Sequence, residues 1–233
     1  MRDGGTVDFQ REEQALIHAG VRLDRRNLIA GTEGNLSLRL GDGSILITGS
    51  GAFKGELTER DLLRVSLDGE VIEQRDRAKS SESEAHLTCY RLRPDVNAVV
   101  HAHPVHAVAL MLRGENLEAV PLAEAAYAFG SVPTATFAVP GTPEGGRAVA
   151  AWIDKRDAVL LDRHGAVTVG KTLDEALSRM EILDAVASTV LAAGSHGRMK
   201  PIEGSLVTAI ADAAVQAGAK KEAVDAWAAA MKG

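Results

Sequence analysis

Apolar residues recur at helical spacing in several stretches of the chain. The longest apolar stripe runs from Leu173 to Val190. The spacing predicts helices at 9–28, 104–112, 145–154 and 173–194, and the alanine-rich segment 206–231 is also predicted to be helical. A further helix is expected to end at about Arg91, with Ser81 or Ser83 as its N-terminal cap.

Alternation of apolar and polar residues predicts strands between these helices. Within residues 36–40, leucines alternate with Ser37 and Arg39, which is typical of a strand with one face in the core and the other in solvent. Further strands are predicted at 45–48, 63–67, 70–72, 96–101, 158–161 and 166–169. Asp-Gly turns at 42–43 and 68–69 join several strands as hairpins, so the sheet is expected to be mainly antiparallel.

These elements predict an α/β fold in a single domain, residues 1–233, with helices flanking a mainly antiparallel central sheet. Residues 1–8 are expected to be flexible, and residues 195–233 to form a C-terminal helical segment. No Gly-x-Gly-x-x-Gly sequence follows a strand, so the pattern does not indicate a nicotinamide enzyme.

Composition narrows the class of protein. Hydrophobic residues make up 45% and charged residues 25% of the 233 residues, as in globular proteins. The net charge of −6, with both signs interspersed, argues against a nucleic-acid partner. No apolar run is long enough to cross a membrane, and no export signal is recognisable at the N-terminus. With a single cysteine, Cys89, the expected location is the cytoplasm.

Two histidines follow one another at alternate positions near the end of an apolar strand. Because residues i and i+2 of a strand face the same side, His101 and His103 can meet one ion. His164 lies at another strand end, and three histidines with one open position form a catalytic type of zinc site. The competing interpretation is that these residues are merely polar strand ends.

A second group of polar residues stands at turns and at one helix start. Glu82 is the candidate acid/base, although it could simply stabilise the helix N-terminus near which it lies. Ser80 and Ser81 are candidate phosphate ligands, because hydroxyls and free backbone amides converge at a helix start; they could equally serve as caps. Two glycine-bearing turns could line the same anion pocket, namely Gly34-Asn35 and Ser50-Gly51.

The candidate residues belong to five longer motifs: Gly-Thr-Glu-Gly-Asn-Leu-Ser at 31–37, Ile-Thr-Gly-Ser-Gly at 47–51, Lys-Ser-Ser-Glu at 79–82, Pro-Asp-Val-Asn-Ala-Val-Val-His-Ala-His at 94–103 and His-Gly at 164–165. In this order, the motifs resemble the class II aldolase/adducin family. The resemblance implies an α/β/α domain that assembles as a cyclic homotetramer with active sites at subunit interfaces.

The resemblance also implies roles for individual residues. His101, His103 and His164 would bind Zn²⁺, and Glu82 would share the metal in the empty site and act as acid/base once substrate binds. The phosphate of a small sugar phosphate would be held by Gly34, Asn35, Ser50, Gly51, Ser80 and Ser81. The implied reaction is cleavage of a ketose 1-phosphate of fuculose, 5-deoxypentulose or methylthio-pentulose type into dihydroxyacetone phosphate and an aldehyde.

One position departs from the family pattern. Phe137 stands where an aldolase of this family has a tyrosine, contributed by a neighbouring subunit, that is implicated in proton transfer. Phenylalanine has no hydroxyl to donate, and Tyr127 is a possible substitute or a core residue. The departure favours the runner-up activity, decarboxylation of a phosphorylated oxo-acid. The motifs are also compatible with an epimerase of pentulose phosphates, a methylthioribulose-phosphate dehydratase and, least of all, a non-catalytic adducin-like module.

Several residues with reactive side chains are not expected to take part in the reaction. Cys89 is interpreted as a small core residue, His106 as structural, and His86 has no context that supports a role. Lys54 and Lys79 could add positive charge near the phosphate, although solvent-exposed surface is the commoner place for lysine.

Overall fold

The structure, a computed structural model, describes residues 9–194 and 199–232. Residues 1–8, predicted to be flexible, lie outside this range. Within it the helices are α1 (Gln10–Arg25), α2 (Ser83–Leu92), α3 (Val105–Leu112), α4 (Ala123–Ala128), α5 (Pro143–Ile153), α6 (Leu173–Gly194), α7 (Gly204–Gln216) and α8 (Lys221–Lys232). The strands are β1 (Asn35–Arg39), β2 (Ile45–Thr48), β3 (Leu62–Val65), β4 (Val71–Gln74), β5 (Ala98–Ala102), β6 (Thr134–Ala135), β7 (Ala158–Leu161) and β8 (Gly165–Gly170).

The strands form one sheet in the order β4-β3-β2-β1-β5-β8-β7-β6. Every neighbouring pair is antiparallel except β6 and β7, which run parallel through two residue pairs. The prediction of a mainly antiparallel sheet is therefore confirmed. Strand β5 lies between β1 and β8, which are far apart in the sequence, and this order decides which polar residues meet.

Helices cover both faces of the sheet. Leu36 and Val100 point to a core formed with α1, α3, α4 and α6. The alternate residues Ile47, Val99 and Val167 point to a second core, formed with α2 and α5. Because both faces bury apolar side chains, the sheet is the middle layer of a three-layer α/β/α sandwich.

The prediction that β1 has a solvent-facing side is wrong. Ser37 is 0% exposed, because α2 covers the face of β1 that carries the polar residues. The hydroxyl of Ser37 contacts His86 and Tyr90 of that helix instead of water. An alternation of apolar and polar residues predicts a strand with one exposed face. In β1 the polar face is buried, because it packs against a helix that also carries polar residues.

The alanine-rich segment 206–231, predicted to be helical, forms two helices. Gly218, with φ +98°, separates α7 from α8. The two helices pack on α4, and Trp227 Nε1 donates a hydrogen bond to the carbonyl oxygen of Val120 at 2.8 Å. Among the described helices, none is both long and apolar enough to span a membrane.

Candidate active site

Three histidines meet where β5 and β8 run side by side. His101 is the fourth residue of β5, and His103 follows directly after the strand. His164 sits in the tight turn between β7 and β8, where its backbone N–H donates to the carbonyl of Leu161 at 3.0 Å. The next residue, Gly165, allows this approach: a Cβ there would stand only 2.4 Å from the carbonyl oxygen of Ala102.

The imidazole nitrogens are close enough to share an ion. One ligand atom from each of the three rings lies within 4.8 Å of the other two. Nε2 of His101 and Nε2 of His103 are 3.2 Å apart. Two nitrogens on one tetrahedral zinc ion would be about 3.4 Å apart, given a metal–nitrogen distance of about 2.1 Å. The cluster therefore has the dimensions of a three-histidine metal site.

Hydrogen bonds at the far side of two rings select the tautomer that a metal requires. His101 Nδ1 donates to the carbonyl oxygen of Ala166 at 3.0 Å, and His103 Nδ1 donates to Glu33 Oε2 at 3.0 Å. In each neutral ring the lone pair is then on Nε2, which faces the cluster. Burial lowers the pKa of His101 to about 3 and also lowers the pKa of His103, so both rings are neutral near pH 7. These donors fit a divalent transition metal.

Glu82 completes the cluster from the start of α2. Its Oε1 lies 3.2 Å from His164 Nε2, and its Oε2 lies 3.6 Å from His101 Nε2. The amide nitrogen of Asn35 donates to Oε2 at 3.3 Å. The hydrogen bond with His164, with smaller contributions from the nearby imidazoles, lowers the pKa of Glu82 to about 2 although burial opposes this. The group is thus a carboxylate at neutral pH.

Capping at this helix differs from the prediction. Glu82 itself occupies the cap position before Ser83, and it makes no side-chain capping hydrogen bond. Ser80 Oγ accepts the backbone N–H of Glu82 at 3.2 Å. Neither Ser81 nor Ser83 therefore caps α2, and the hydroxyl of Ser81 instead borders a cleft beside the histidines.

This cleft, of about 380 Å³, opens next to the histidines and Glu82. It is lined by the residues predicted to hold a phosphate: Gly34, Asn35, Ser50, Gly51, Ser80 and Ser81. They come from three separate segments, the start of β1, the turn after β2 and the approach to α2. The structure therefore brings all six together, next to His103 and His164.

Two cations, Lys54 and Arg77, lie near this cleft. Lys54 is only 2% exposed, and its Nζ donates to the carbonyl oxygens of Thr32 at 2.6 Å and Ala52 at 2.7 Å. Burial lowers the pKa of Lys54 to about 8. Of the two alternatives for Lys54, the position near the predicted phosphate residues is the one found, and the side chain joins two loops that line the cleft.

The second cation, Arg77, is not recognisable from the sequence. Its Nε donates to Asp61 Oδ1 at 2.9 Å, and its side chain packs over the turn at residues 49–51. A Cβ on Gly51 would lie 3.9 Å from Arg77 Nη1. The only available signal is its place three residues before Ser80, which does not indicate where the side chain goes.

The loop after β6 closes one side of the cleft. Pro140 and Gly141 line it, and a Cβ on Gly141 would come within 2.8 Å of Ser81 Oγ. In the same loop, Phe137 is 53% exposed, and Tyr127 on α4 is 45% exposed. Neither ring is among the residues that line the cleft within this subunit.

Of the reactive residues that the sequence analysis set aside, His106 and Cys89 make no contact with the histidine cluster, whereas His86 contacts a residue of the site. His106 Nδ1 pairs with Asp184 at 2.8 Å on the surface, and burial raises the pKa of the Cys89 thiol to about 12. His86, for which the sequence indicates no role, is fully buried and contacts Asn35.

Comparison with known proteins agrees with this arrangement. Residues 14–191 match the family model described as "Class II Aldolase and Adducin N-terminal domain". L-fuculose phosphate aldolase of Escherichia coli is 36% identical over 180 residues, covering 76% of this chain and 82% of the relative. 3-oxo-tetronate 4-phosphate decarboxylase of Pectobacterium atrosepticum is 34% identical over 195 residues, covering 80% of this chain and 87% of the relative.

A solved structure gives the same result for the fold. The crystal structure of L-fuculose-1-phosphate aldolase from Thermus thermophilus is 34% identical, with a TM-score of 0.70, and the match covers 83% of this chain and 100% of that one. The family resemblance indicated by the motifs is thus confirmed, and this chain belongs to the class II aldolase and adducin family.

Proposed function

We propose that the protein is a zinc-dependent aldolase that cleaves a ketose 1-phosphate into dihydroxyacetone phosphate and an aldehyde. The observation that carries this proposal is the convergence of three imidazoles and one carboxylate at the edge of a cleft rich in anion-binding groups. The similarity to L-fuculose phosphate aldolase supports the reaction type.

The cleft supplies the binding energy for the phosphate end. Backbone amides at the glycine turns and the hydroxyls of Ser50, Ser80 and Ser81 are donors that suit phosphate oxygens. Lys54 and Arg77 add positive charge near the same position. Contacts so far from the reacting bond fix the orientation of the substrate, which lowers the entropic part of the barrier.

The reacting end would lie at the histidine cluster. Zinc held by His101, His103 and His164 would act as a Lewis acid on the carbonyl and adjacent hydroxyl oxygens, stabilising the charge that develops when the carbon–carbon bond breaks. Glu82, a carboxylate within 3.2 Å of His164 and 3.6 Å of His101, is positioned to move the proton at the reacting carbon.

A lysine-based mechanism has one candidate in the described residues, and its geometry is unfavourable. Lys54 has the lowered pKa that a Schiff-base lysine needs. However, its Nζ is held by two backbone carbonyls at 2.6 and 2.7 Å, so an attack on a substrate carbonyl would break both hydrogen bonds. The metal mechanism needs no such rearrangement.

Decarboxylation of a phosphorylated oxo-acid is the second candidate. Phe137 has no hydroxyl with which to protonate a leaving group, and loss of carbon dioxide needs fewer protonating groups than aldol cleavage does. The 34% identity to a 3-oxo-tetronate 4-phosphate decarboxylase supports this option. An epimerase, a dehydratase or an adducin-like module would keep the same fold, but no feature of this cleft favours one of them.

We also propose a homotetramer with active sites at subunit interfaces. The loop that closes one side of the cleft also carries Phe137, whose ring is more than half exposed. A neighbouring copy at this side would cover the ring and complete the wall of the site.

Product analysis tests the proposal. Zinc-loaded protein is incubated with a panel of ketose 1-phosphates and, separately, with phosphorylated 3-oxo-acids, while dihydroxyacetone phosphate and carbon dioxide are measured. Metal-dependent release of dihydroxyacetone phosphate from a ketose 1-phosphate that is lost in Glu82→Gln, but kept in the surface variant Glu118→Gln, supports the aldolase. Loss of carbon dioxide from a 3-oxo-tetronate 4-phosphate also leaves dihydroxyacetone phosphate, so the substrate that releases it decides between the candidates. Carbon dioxide and dihydroxyacetone phosphate from a phosphorylated 3-oxo-acid, with no release from any ketose 1-phosphate, would establish the second candidate. No product from either group of substrates with zinc-loaded protein would refute both.

A further inference from the structure

A chain of buried side chains leads from the candidate site into the space between β1 and α2. Asn35 Nδ2 donates to Glu82 Oε2 at 3.3 Å, and Asn35 Oδ1 lies 2.7 Å from His86 Nε2. His86 Nδ1 lies 2.7 Å from Ser37 Oγ, which is 2.8 Å from the hydroxyl of Tyr90. All four inner residues are at most 3% exposed, so water does not compete for these contacts.

The positions of the hydrogens in this series of hydrogen bonds follow from Glu82 at its outer end. A carboxylate only accepts hydrogen bonds, so the amide of Asn35 must turn its nitrogen to Glu82 and its oxygen to His86. His86 Nε2 must then donate, which in a neutral ring leaves Nδ1 as an acceptor for the hydroxyl of Ser37. Ser37 in turn accepts from Tyr90, so every group in the chain is satisfied.

The periodicities of two elements create this arrangement. Asn35 and Ser37 are alternate residues of β1 and therefore face the same helix. His86 and Tyr90 are four residues apart on α2 and therefore face the same strand. In addition, Asn35 is the strand partner of His101, so the chain is anchored directly beside the metal cluster.

Asn35 lines the cleft, and its amide has a second hydrogen that this series of hydrogen bonds does not use. With Oδ1 engaged by His86, the amide cannot turn over without placing its oxygen against the carboxylate of Glu82 and losing the hydrogen bond to His86. The –NH₂ group is thus held toward Glu82 and the cleft, where its remaining hydrogen can meet a phosphate oxygen.

We propose that His86 is a positioning residue that fixes the side-chain amide of Asn35 for phosphate binding, with Ser37 and Tyr90 holding His86 in the Nε2–H tautomer. This inference rests on the proposed role of Asn35 in the phosphate pocket. His86 touches neither the metal cluster nor the cleft through a hydrogen bond of its own, so it acts through Asn35.

The tautomer can be measured without any substrate. The ¹⁵N chemical shifts of the His86 ring in the zinc-loaded protein distinguish Nε2–H from Nδ1–H. The Nε2–H form is expected in the wild type. The Nδ1–H form would overturn the proposal, because Asn35 would then have to present its oxygen to the carboxylate of Glu82.

The positioning role is tested by a double-mutant cycle on ligand affinity. Methyl phosphate, a phosphate monoester without a carbonyl, is titrated into zinc-loaded wild type, His86→Leu, Asn35→Ala and the double variant. His86→Leu alone is expected to raise the dissociation constant about five- to tenfold, the equivalent of one lost hydrogen bond. In the Asn35→Ala background it is expected to have less than about a twofold effect, because residues that act through each other are not additive.

Two further variants separate positioning from packing. His86→Gln keeps a donor near the position of Nε2 and should restore most of the affinity that His86→Leu loses. Thr168→Val removes a fully buried hydroxyl that bonds to the Ala176 carbonyl away from the site, and should leave the affinity unchanged. Additive effects in the cycle, or no rescue by glutamine, would overturn the role of His86.

These results also separate this proposal from the proposed reaction. Additivity in the cycle with normal product release would refute the role of His86 alone. If wild-type protein bound no methyl phosphate, the phosphate pocket would be refuted and the positioning role with it, whatever the tautomer.

Discussion

Glu33 Oε2 lies 3.0 Å from His103 Nδ1, on the side of the ring opposite the histidine cluster. A carboxylate in this place orients the ring and makes Nε2 a stronger ligand. We expect Glu33→Gln to weaken zinc binding about 10- to 100-fold, which is the usual effect of losing such a partner. Competition with a chromophoric chelator measures the affinity.

Glu118→Gln is the matched control for Glu33→Gln, because Glu118 is an exposed loop residue whose side chain is remote from the cluster. Its zinc affinity should equal that of the wild type. Equal affinities for all three proteins would mean that Glu33 does not support His103.

Gly34 and Gly31 share a left-handed backbone conformation but differ in their surroundings. Both have positive φ, +70° and +56° respectively. A Cβ on Gly34 would stand 2.8 Å from the carbonyl oxygen of His101, whereas a Cβ on Gly31 would meet nothing within 4 Å. Gly31→Ala should lower the free energy of unfolding by about 1–2 kcal/mol through backbone strain alone. Gly34→Ala should lower it by at least about 1 kcal/mol more, because overpacking adds to the strain.

Urea denaturation of the two glycine variants tests this difference. Equal losses would indicate that β5 moves away from the added methyl at little cost, and that the close approach of Gly34 to His101 is not required for the fold.

Arg77 should contribute to phosphate affinity more than to the rate of the chemical step. Its Nε is engaged by Asp61, and its Nη1 lies close to the turn at Gly51. Arg77→Gln is expected to raise the dissociation constant for methyl phosphate about tenfold at low salt, corresponding to one charge-assisted hydrogen bond. The difference should shrink as salt screens the charge.

Arg60→Gln provides the comparison for Arg77→Gln. Arg60 is a neighbouring arginine whose guanidinium pairs with Asp76 in solvent. If both variants lost affinity equally, the effect of Arg77 would be one of overall charge and not of position.

Stability below neutral pH should depend on His86. Burial lowers its pKa to about 4, from an ordinary value of 6.5. Between these values the unfolded chain takes up a proton that the folded protein does not, so the free energy of unfolding falls as the pH falls from 6.5 to 4. The loss attributable to His86 is at most about 3 kcal/mol.

Comparison with His86→Gln isolates this contribution, because glutamine does not titrate. Glu82 is the charged group that influences the His86 ring, and it is present in both proteins. Parallel stability curves for the wild type and the variant between pH 6.5 and 4 would show that His86 has an ordinary pKa.

The sequence predicts those site residues that stand in ordered motifs. His101, His103, His164 and Glu82 can be selected because each lies at the end of a predicted element. Their meeting, however, depends on β8 pairing with β5, and the two strands are separated by more than 60 residues of other structure. Periodicity within a segment says nothing about that pairing, so only the family resemblance supplies it.

Sequence patterns miss some site residues because the roles of these residues depend on contacts between elements that are far apart in the sequence. His86 looks like an ordinary polar position of α2 until β1 is placed beside it, and Ser37 looks solvent-facing until α2 covers it. Lys54 and Arg77 lie in segments where apolar and polar residues show no regular spacing. Strand β6 has only two residues and α4 only six, too few for either to produce a recognisable alternation or stripe.

The loop after β6 has a weaker attachment than the rest of the site. β6 joins the sheet through two residue pairs with β7, while the histidines belong to β5 and to the turn before β8. Substitutions or insertions at 136–142 can therefore reshape the mouth of the cleft without breaking a ladder hydrogen bond of β5 or β8. During divergence from a common ancestor, this loop is the part of the site that can change first, so that one metal centre can serve substrates of different length and shape.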